Sequence, residues 1–251
     1  MIGAVLVDTS NIQERIGELD KAVALGREGV AEARKANEPA MLNTAFTALA
    51  AHLSQQGDFD AALATLNEIE KIQSDAGDTV GLVNTNVIRV GVLSTANRDA
   101  EAEKLALETL RLVDRKSDPD NYGWLKLALA KRATETAHFA EADPLIEAAN
   151  SVVIDAGDAS LASEVRIVKA EILAGRGKLD QARAALAKLR EESRSDEGIL
   201  LEIDVVGATI DLAYGHDRAA RARLGELVKK ARARGDGTMA RQAEHAMNTK
   251  H

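Results

Sequence analysis

The sequence predicts an all-α fold built as an α-solenoid, a stack of antiparallel helical hairpins, on three observations. Ala, Leu, Glu, Lys and Arg, which lose little side-chain freedom in a helix, are abundant, and there are only three prolines. Aromatic residues make up 2% of the chain, so the core must be aliphatic and its helices closely packed. A sequence pattern also recurs about every 40 residues, which is typical of a helical repeat array.

The recurring pattern is Gly, one residue, a bulky apolar residue, two residues, Ala, three residues and an aliphatic residue. It is complete from Gly57 to Leu66 and from Gly177 to Leu186, and Ala137 replaces the Gly of another copy. Weaker copies begin at Gly17, Asn97 and Gly215. The anchoring alanines are separated by 40, 40, 40, 40 and 38 residues: Ala22, Ala62, Ala102, Ala142, Ala182 and Ala220. Apolar residues three and four apart on both sides of each turn predict two helices that cross at this Ala.

Short connections join the predicted hairpins. Gly77, Gly157 and Gly235 each follow an anchoring alanine by 15 residues, where a helix end needs a left-handed residue. Asp78 and Asp158 then suit the N-cap of the next helix. Residues 237–248 predict a last, capping helix with Met239, Ala243 and Met247 facing inward, so we expect a single repeat domain over 1–251.

The turn pattern Gly-x-aromatic-x-x-Ala-x-x-x-Leu, with a small residue in the preceding helix, resembles the tetratricopeptide repeat. The usual repeat has about 34 residues, so this chain is similar to the lengthened variants of about 40 residues in bacterial regulatory and signalling proteins. The resemblance implies a right-handed superhelix of about six repeats plus the capping helix. Arrays of the HEAT type, with periods of about 40 to 47 residues, are the structural alternative.

Composition excludes several function classes. The net charge of −8 and the pI near 5.3 argue against a surface matched to nucleic acid or to anionic lipid. From residue 216 onward, however, nine Lys or Arg face four Asp or Glu, a basic run that we interpret as a solvated helix face. The absence of Cys excludes disulfides and thiolate zinc sites. No run approaches the roughly 20 apolar residues that span a bilayer, so we expect a soluble, cytoplasmic protein.

Catalytic motifs are absent from the sequence. The five histidines are scattered over different repeats or lie at the tail, and no phosphate loop, zinc-binding helix or nucleophile elbow is present. We therefore expect no enzymatic activity, no cofactor and no bound metal.

The inner face is the candidate binding surface, because in tetratricopeptide arrays the first helix of each repeat lines it. Carried onto this chain, the resemblance assigns partner binding to Thr44, Thr47, Ser54, Gln55, Asn84, Ser94, Trp124, Lys131, Glu164 and Glu171. Glu135 belongs to a neighbouring ladder of the same face. Small and polar residues here suit a groove rich in hydrogen-bonding groups, but concave curvature alone also demands small side chains. Trp124 is either a ligand anchor or a packing staple at its helix start.

Two functions remain open on this basis. The first is a scaffold that binds a peptide or helix of a partner protein in its groove. The alternative is a ligand- or peptide-sensing regulatory module of a larger bacterial signalling or transcription protein. A monomer is favoured over an oligomer, and nucleic acid and membranes are disfavoured as partners. Residues 1–16 are β-branched and lack a clear cap, which indicates either a piece of a longer protein or a surface that packs on a partner.

Overall fold

The computed structural model describes residues 2–36, 38–214 and 218–249. Within these ranges the chain forms fourteen α-helices and no strand, so the all-α prediction is confirmed. The helices are α1 Ile2–Arg15, α2 Leu19–Ala36, α3 Pro39–Gln56, α4 Phe59–Ala76, α5 Thr79–Thr95, α6 Asp99–Leu110, α7 Pro119–Glu135, α8 Phe139–Asn150, α9 Val153–Ala156, α10 Ala159–Gly175, α11 Leu179–Glu192, α12 Glu197–Ala213, α13 Arg218–Ala233 and α14 Gly237–Asn248.

The anchoring alanines lie in the first turn of the second helix of each hairpin. All six are buried, with at most 4% of their surface exposed: Ala22, Ala62, Ala102, Ala142, Ala182 and Ala220. A methyl group at this position allows the two helices of a hairpin to approach closely, as the sequence pattern predicts. The 40-residue spacing therefore corresponds to a repeated packing arrangement.

The turns inside the hairpins require left-handed backbone. Gly17, Gly57 and Gly177 have φ of 83°, 86° and 75°, which glycine adopts without steric cost. Asn97 and Ala137 occupy the same place in their repeats and also have φ of 57°. The chain therefore keeps the turn geometry even where the glycine is missing. The predicted turn at Gly215 and Asp217 lies outside the described residues.

In the connections between hairpins, a left-handed glycine ends one helix and an Asp caps the start of the next, as predicted. Gly77, Gly157 and Gly235 have φ of 67°, 67° and 75°. The Oδ1 atom of Asp78 accepts from Gly81 N at 2.9 Å, which satisfies a free N–H at the start of α5. Asp158 caps α10 in the same way, through Ser160 N at 2.7 Å.

Two compact units divide the helices. Unit 1 comprises Met1–Leu105 and Arg232–Thr238, and unit 2 comprises Ala106–Ala231 and Met239–His251. Within unit 1, helices α1 to α5 pack in chain order, and the first helices of successive hairpins, α1, α3 and α5, also contact each other. Within unit 2, α10 contacts both α7 and α12, which repeats the arrangement. The single domain over 1–251 and the right-handed superhelix stay predictions.

The ends of the array also form helices. Residues 2–15 form α1, which packs on α2 and α3 despite its β-branched sequence. In unit 1, the Oγ1 atom of Thr238 donates to the carbonyl oxygen of Ser54 at 2.7 Å. Helix α14 has the predicted bounds, and Ala243 is fully buried while Met239 and Met247 are partly buried in the same apolar cluster. Its role as a cap stays a prediction.

No helix in the described part of the chain is both long enough and apolar enough to cross a membrane.

Candidate functional site

The candidate residues of α3 mostly bond within their own helix or to its neighbours. The hydroxyl of Thr44 donates to Ala40 O at 3.0 Å, and that of Thr47 donates to Asn43 O at 2.7 Å. Such bonds to the preceding turn satisfy the hydroxyls locally. Thr44 is exposed and Thr47 is half-buried, so both remain partly accessible to a partner.

The other candidates of unit 1 differ widely in accessibility. Ser54 is buried, with 8% of its surface exposed. Gln55 donates from Nε2 to Glu14 Oε1 of α1 at 2.8 Å, which ties two successive first helices together. Asn84 is exposed and Ser94 is half-buried. In unit 1 the predicted ladders therefore combine buried, half-buried and exposed positions.

Trp124 joins two successive hairpins of unit 2. Its indole Nε1–H donates to Asp158 Oδ2 at 2.9 Å, and Asp158 is the N-cap of α10. The indole ring is partly buried against the apolar cluster that contains Leu127 and Leu161. Of the two sequence interpretations, these contacts support the packing staple, since both the ring and the N–H are engaged within the protein.

The remaining candidates meet in a charged cluster on the first helices of unit 2. The ammonium group of Lys131, on α7, forms an ion pair and a hydrogen bond with Glu164 of α10. The carboxyl group of Glu164 is also hydrogen-bonded to that of Glu202, on α12. Glu171, about two helical turns further along α10, lies within the electrostatic influence of the same lysine. We call Lys131, Glu135, Glu164, Glu171 and Glu202 the charged cluster.

Glu202 is a member that the sequence analysis missed. The ladder that contains Trp124 and Glu164 advances by 40 residues, and one further step of 40 leads to Asp204. The last repeat, however, advances by 38 residues, as Ala182 and Ala220 show. Applying this shorter step to Glu164 leads to Glu202, so the signal was present in the spacing of the anchoring alanines.

The pKa values of the cluster follow from partial burial combined with strong mutual interaction. Burial alone raises the pKa of Glu164, but the charge of Lys131 and the hydrogen bonds from Lys131 and Glu202 outweigh it and bring the pKa below its usual value. Burial and the neighbouring charge of Glu164 raise the pKa of Glu202 well above its usual value. We therefore assign the ionised form to Glu164 and the protonated, donating form to Glu202.

Glu171 and Lys131 complete this electrostatic arrangement. Burial, together with the charges of Glu135 and Glu164, raises the pKa of Glu171 to about 7, although Lys131 opposes the shift. Burial lowers the pKa of Lys131, but the surrounding carboxylates outweigh this and raise it above its usual value. The lysine is therefore permanently charged, whereas Glu171 is partly protonated at neutral pH.

The cluster is nevertheless open to solvent. The side chain of Lys131 is 39% exposed and that of Glu164 is 15% exposed. These groups are surrounded by protein on several sides but keep a face toward water, so solvent weakens their interactions. An incoming group from a partner can therefore reach them without unfolding any helix.

The chemistry available to this arrangement is recognition of charge. Perturbed carboxyl groups also occur in catalytic sites, but ion-pair networks perturb pKa values as well. Here Lys131 pairs with Glu164 in an ion pair of this kind. Two open depressions in unit 2 are lined by other residues, including Arg190 and Leu200 in one and Arg166 and Lys188 in the other. Absence of enzymatic activity stays a prediction. In the described ranges, no three His, Asp or Glu side chains are grouped so that they could hold a metal ion.

Comparison with known proteins leaves the family open. A scan against protein-family models finds no model that matches the chain, and a search of curated proteins finds no match either.

Proposed function

We propose that this chain is a protein-interaction module that holds a peptide or helix of a partner protein against the charged cluster of unit 2. The observation that carries the proposal is the position of the cluster. Partly exposed charged side chains from α7, α10 and α12 gather on helices whose other faces are aliphatic and buried. Membership in the tetratricopeptide repeat family is part of this proposal and supports a peptide as the occupant.

The charges of the cluster favour a basic segment of the partner. The carboxyl groups of Glu164, Glu171 and Glu202 act on the one ammonium group of Lys131, which can neutralise only one of them. A Lys or Arg side chain placed beside Glu171 and Glu202 would favour their ionised forms and satisfy their oxygens with charge-assisted hydrogen bonds. Binding should therefore release protons at pH 6 to 7 and strengthen as the pH rises through the pKa of Glu171, about 7.

The second function that the sequence leaves open is a small-molecule sensor. One surface depression of unit 2 is a candidate site for such a ligand. It lies between α10 and α11, with a volume of about 460 Å³, and is lined in part by Arg166, Lys169 and Leu173. Arg166 already pairs with Glu192, and Lys169 pairs with Glu147 at 3.0 Å. An anionic ligand would have to displace these carboxylates, so the peptide role is preferred.

Selection from a random peptide library displayed on phage tests the proposal. Peptides enriched on the intact chain should contain two or more Lys or Arg residues, and their affinity should be in the micromolar range expected of a small polar groove. The double variant Glu171→Gln and Glu202→Gln should weaken these peptides about tenfold or more, because it removes the two carboxyl groups that receive the basic side chain of the partner. Isothermal titration calorimetry with one synthetic peptide measures the change.

A matched variant separates the site from the overall charge. Glu191→Gln removes the same type of charge from the exposed surface of α11, where Glu191 is 71% exposed. It should leave peptide affinity within about twofold. Enrichment of peptides without basic residues, or equal losses in the groove and surface variants, would refute the proposed binding face.

A further inference from the structure

Helix α1 carries an uncovered apolar stripe. Ile2, Val5, Ile12 and Ile16 are exposed to 67%, 62%, 56% and 57%. Their spacings of three, seven and four residues place them on one side of the helix, with Thr9 near the middle. Ile16 extends the last turn, since its N–H donates to Ile12 O at 3.1 Å. We call these four residues the α1 stripe.

In each later hairpin, the position of the first helix that corresponds to Val5 is buried. The positions that correspond to Val5 at the repeat spacing are 0% to 4% exposed: Ala45, Thr85, Leu125, Val165 and, with the shorter last step, Ile203. Position 5 therefore belongs to a series in which burial is the rule. Val5 is the exception, at 62%.

The preceding hairpin covers this register in the later repeats. Within unit 1, α3 packs against both α1 and α2, and α5 packs against both α3 and α4. Within unit 2, α10 packs against α7 and α8, and α12 packs against α10 and α11. In the later repeats, the positions that correspond to Val5 thus lie in helix–helix interfaces. We therefore expect the α1 stripe to be covered by the apolar face of another helix.

The α1 helix of a second copy of this chain is a suitable partner for the α1 stripe. In the described ranges, the other helices expose at most one large apolar side chain each, such as Val80 on α5, Leu107 on α6 and Ile154 on α9. The spacing of the α1 stripe is nearly the same when read in either direction. An antiparallel pair of α1 helices related by a two-fold axis near Thr9 would therefore set Ile2 against Ile16 and Val5 against Ile12.

We propose that the α1 stripe is the dimer interface of this protein, covered by α1 of a second copy. Each copy contributes a self-complementary patch, as two-fold symmetry requires. Four side chains exposed to this extent present an apolar patch on the order of 400 Å². Two such patches with their polar borders reach roughly the 1,200 Å² at the lower limit of specific interfaces, so the dimer dissociates in the micromolar range. The sequence analysis favours a monomer. The exposure of this stripe depends on the packing of α1, which the sequence pattern does not give.

Sedimentation equilibrium on the full chain tests the dimer. The mass should rise from 26.7 kDa toward twice that value between low micromolar and a few hundred micromolar protein. The double variant Val5→Glu and Ile12→Glu should remain monomeric over the whole range, with an unchanged helical circular dichroism spectrum. The control variant Val80→Glu and Ile154→Glu, which alters apolar residues that are at least as exposed but isolated, should dimerise like the original chain.

A second measurement tests the two-fold geometry independently of stability. The chain contains no Cys, so Thr9→Cys introduces its only thiol. Mild oxidation should give a disulfide-linked dimer for Thr9→Cys and little for Ala100→Cys, which is exposed on α6. A constant mass of one chain at every concentration, or dimerisation that survives Val5→Glu and Ile12→Glu, would overturn the proposal. Efficient cross-linking at Ala100 alone would do so as well.

Discussion

One hydrogen-bonded network of unit 1 and the charged cluster of unit 2 place polar groups between helices in different ways. In unit 1 the network is built mainly from amide and hydroxyl groups and is largely enclosed. Gln73 of α4, 2% exposed, donates from Nε2 to Asn43 Oδ1 at 2.9 Å and accepts from Thr85 Oγ1 at 3.0 Å. Asn43 in turn donates to Asp78 Oδ2 at 3.0 Å, so the bonds link three successive elements, α3, α4 and the start of α5.

In unit 2 the charged cluster is partly exposed to solvent. Lys131 pairs with Glu164, and the nearby carboxyl groups of Glu202 and Glu171 have raised pKa values. An enclosed network with all partners present fixes the helices that it joins, because breaking it leaves buried groups without hydrogen bonds. A charged cluster that water can reach costs less to rearrange. The comparison teaches that the same repeat geometry can hold both an enclosed hydrogen-bonded network and a charged cluster that solvent can reach.

The largest effect is expected from Gln73→Ala. The substitution removes a buried side chain and leaves the Asn43 carbonyl and the Thr85 hydroxyl without their partners, at a cost of about 3 kcal/mol in the free energy of unfolding. Urea denaturation followed by circular dichroism measures the loss. Gln56→Ala is the matched control, since its amide bonds Asp20 on the surface and should cost less than about 1 kcal/mol. Equal losses in the two variants would contradict the structural role of the enclosed network.

The next effect is an opposite dependence of the two units on pH. In unit 1, His52 is 3% exposed and its Nε2 atom lies 3.2 Å from Ser10 Oγ. Burial lowers the pKa of His52 to about 4 from 6.5. Because the unfolded chain binds the proton more readily, stability should fall as the pH drops below 6.5, by about 2 kcal/mol at pH 5. In unit 2, the pKa of Glu171 is raised to about 7, so its contribution falls as the pH rises from 4.5 through 7.

Two variants separate these opposing contributions. His52→Gln should flatten the loss of stability between pH 6.5 and 5, whatever it costs at neutral pH. Glu171→Gln should stabilise the chain relative to the original at pH 8 but not at pH 5, by about 1 kcal/mol after allowance for solvent screening. Urea unfolding at five or six pH values measures both slopes. If each variant kept the pH slope of the original chain, these two groups would not be the source of the dependence.

The smallest effect concerns the turns that lack glycine. Ala137 of unit 2 and Asn97 of unit 1 both have φ of 57°, which costs an Ala about 1 kcal/mol and an Asn less. Ala137→Gly should therefore raise the free energy of unfolding by about 1 kcal/mol, and Asn97→Gly by about 0.3 kcal/mol. Thermal unfolding detects both. Ala187→Gly, on the exposed side of α11, should have the opposite sign because glycine weakens a helix interior.

Much of the fold was predictable because its determinants are local or periodic. The anchoring alanines, the left-handed glycines and the capping Asp residues each impose a conformation within a few residues, and the 40-residue spacing repeats that conformation. The helix at residues 2–15 was harder to foresee. Its β-branched residues weaken its helical propensity, and packing of α1 on α2 and α3 compensates for this.

The candidate site was predictable only in part. The ladders led to Lys131, Glu164 and Glu171, which do come together, but also to Ser54, which is buried, and to Trp124, which bonds to Asp158. Sequence spacing gives the face of a helix on which a residue lies. It does not give the partner that a side chain meets, since that partner comes from another repeat.

The amino-acid sequence by itself determined the helical hairpins, their period and their turns, because short-range sterics and apolar spacing act along the chain. Tertiary structure alone decided which carboxyl group of unit 2 is ionised and which keeps its proton, since burial and charge are set by residues on three different helices. It also decided that the α1 stripe is left uncovered. Exposure depends on what packs against a helix, and no property of α1 itself contains that information.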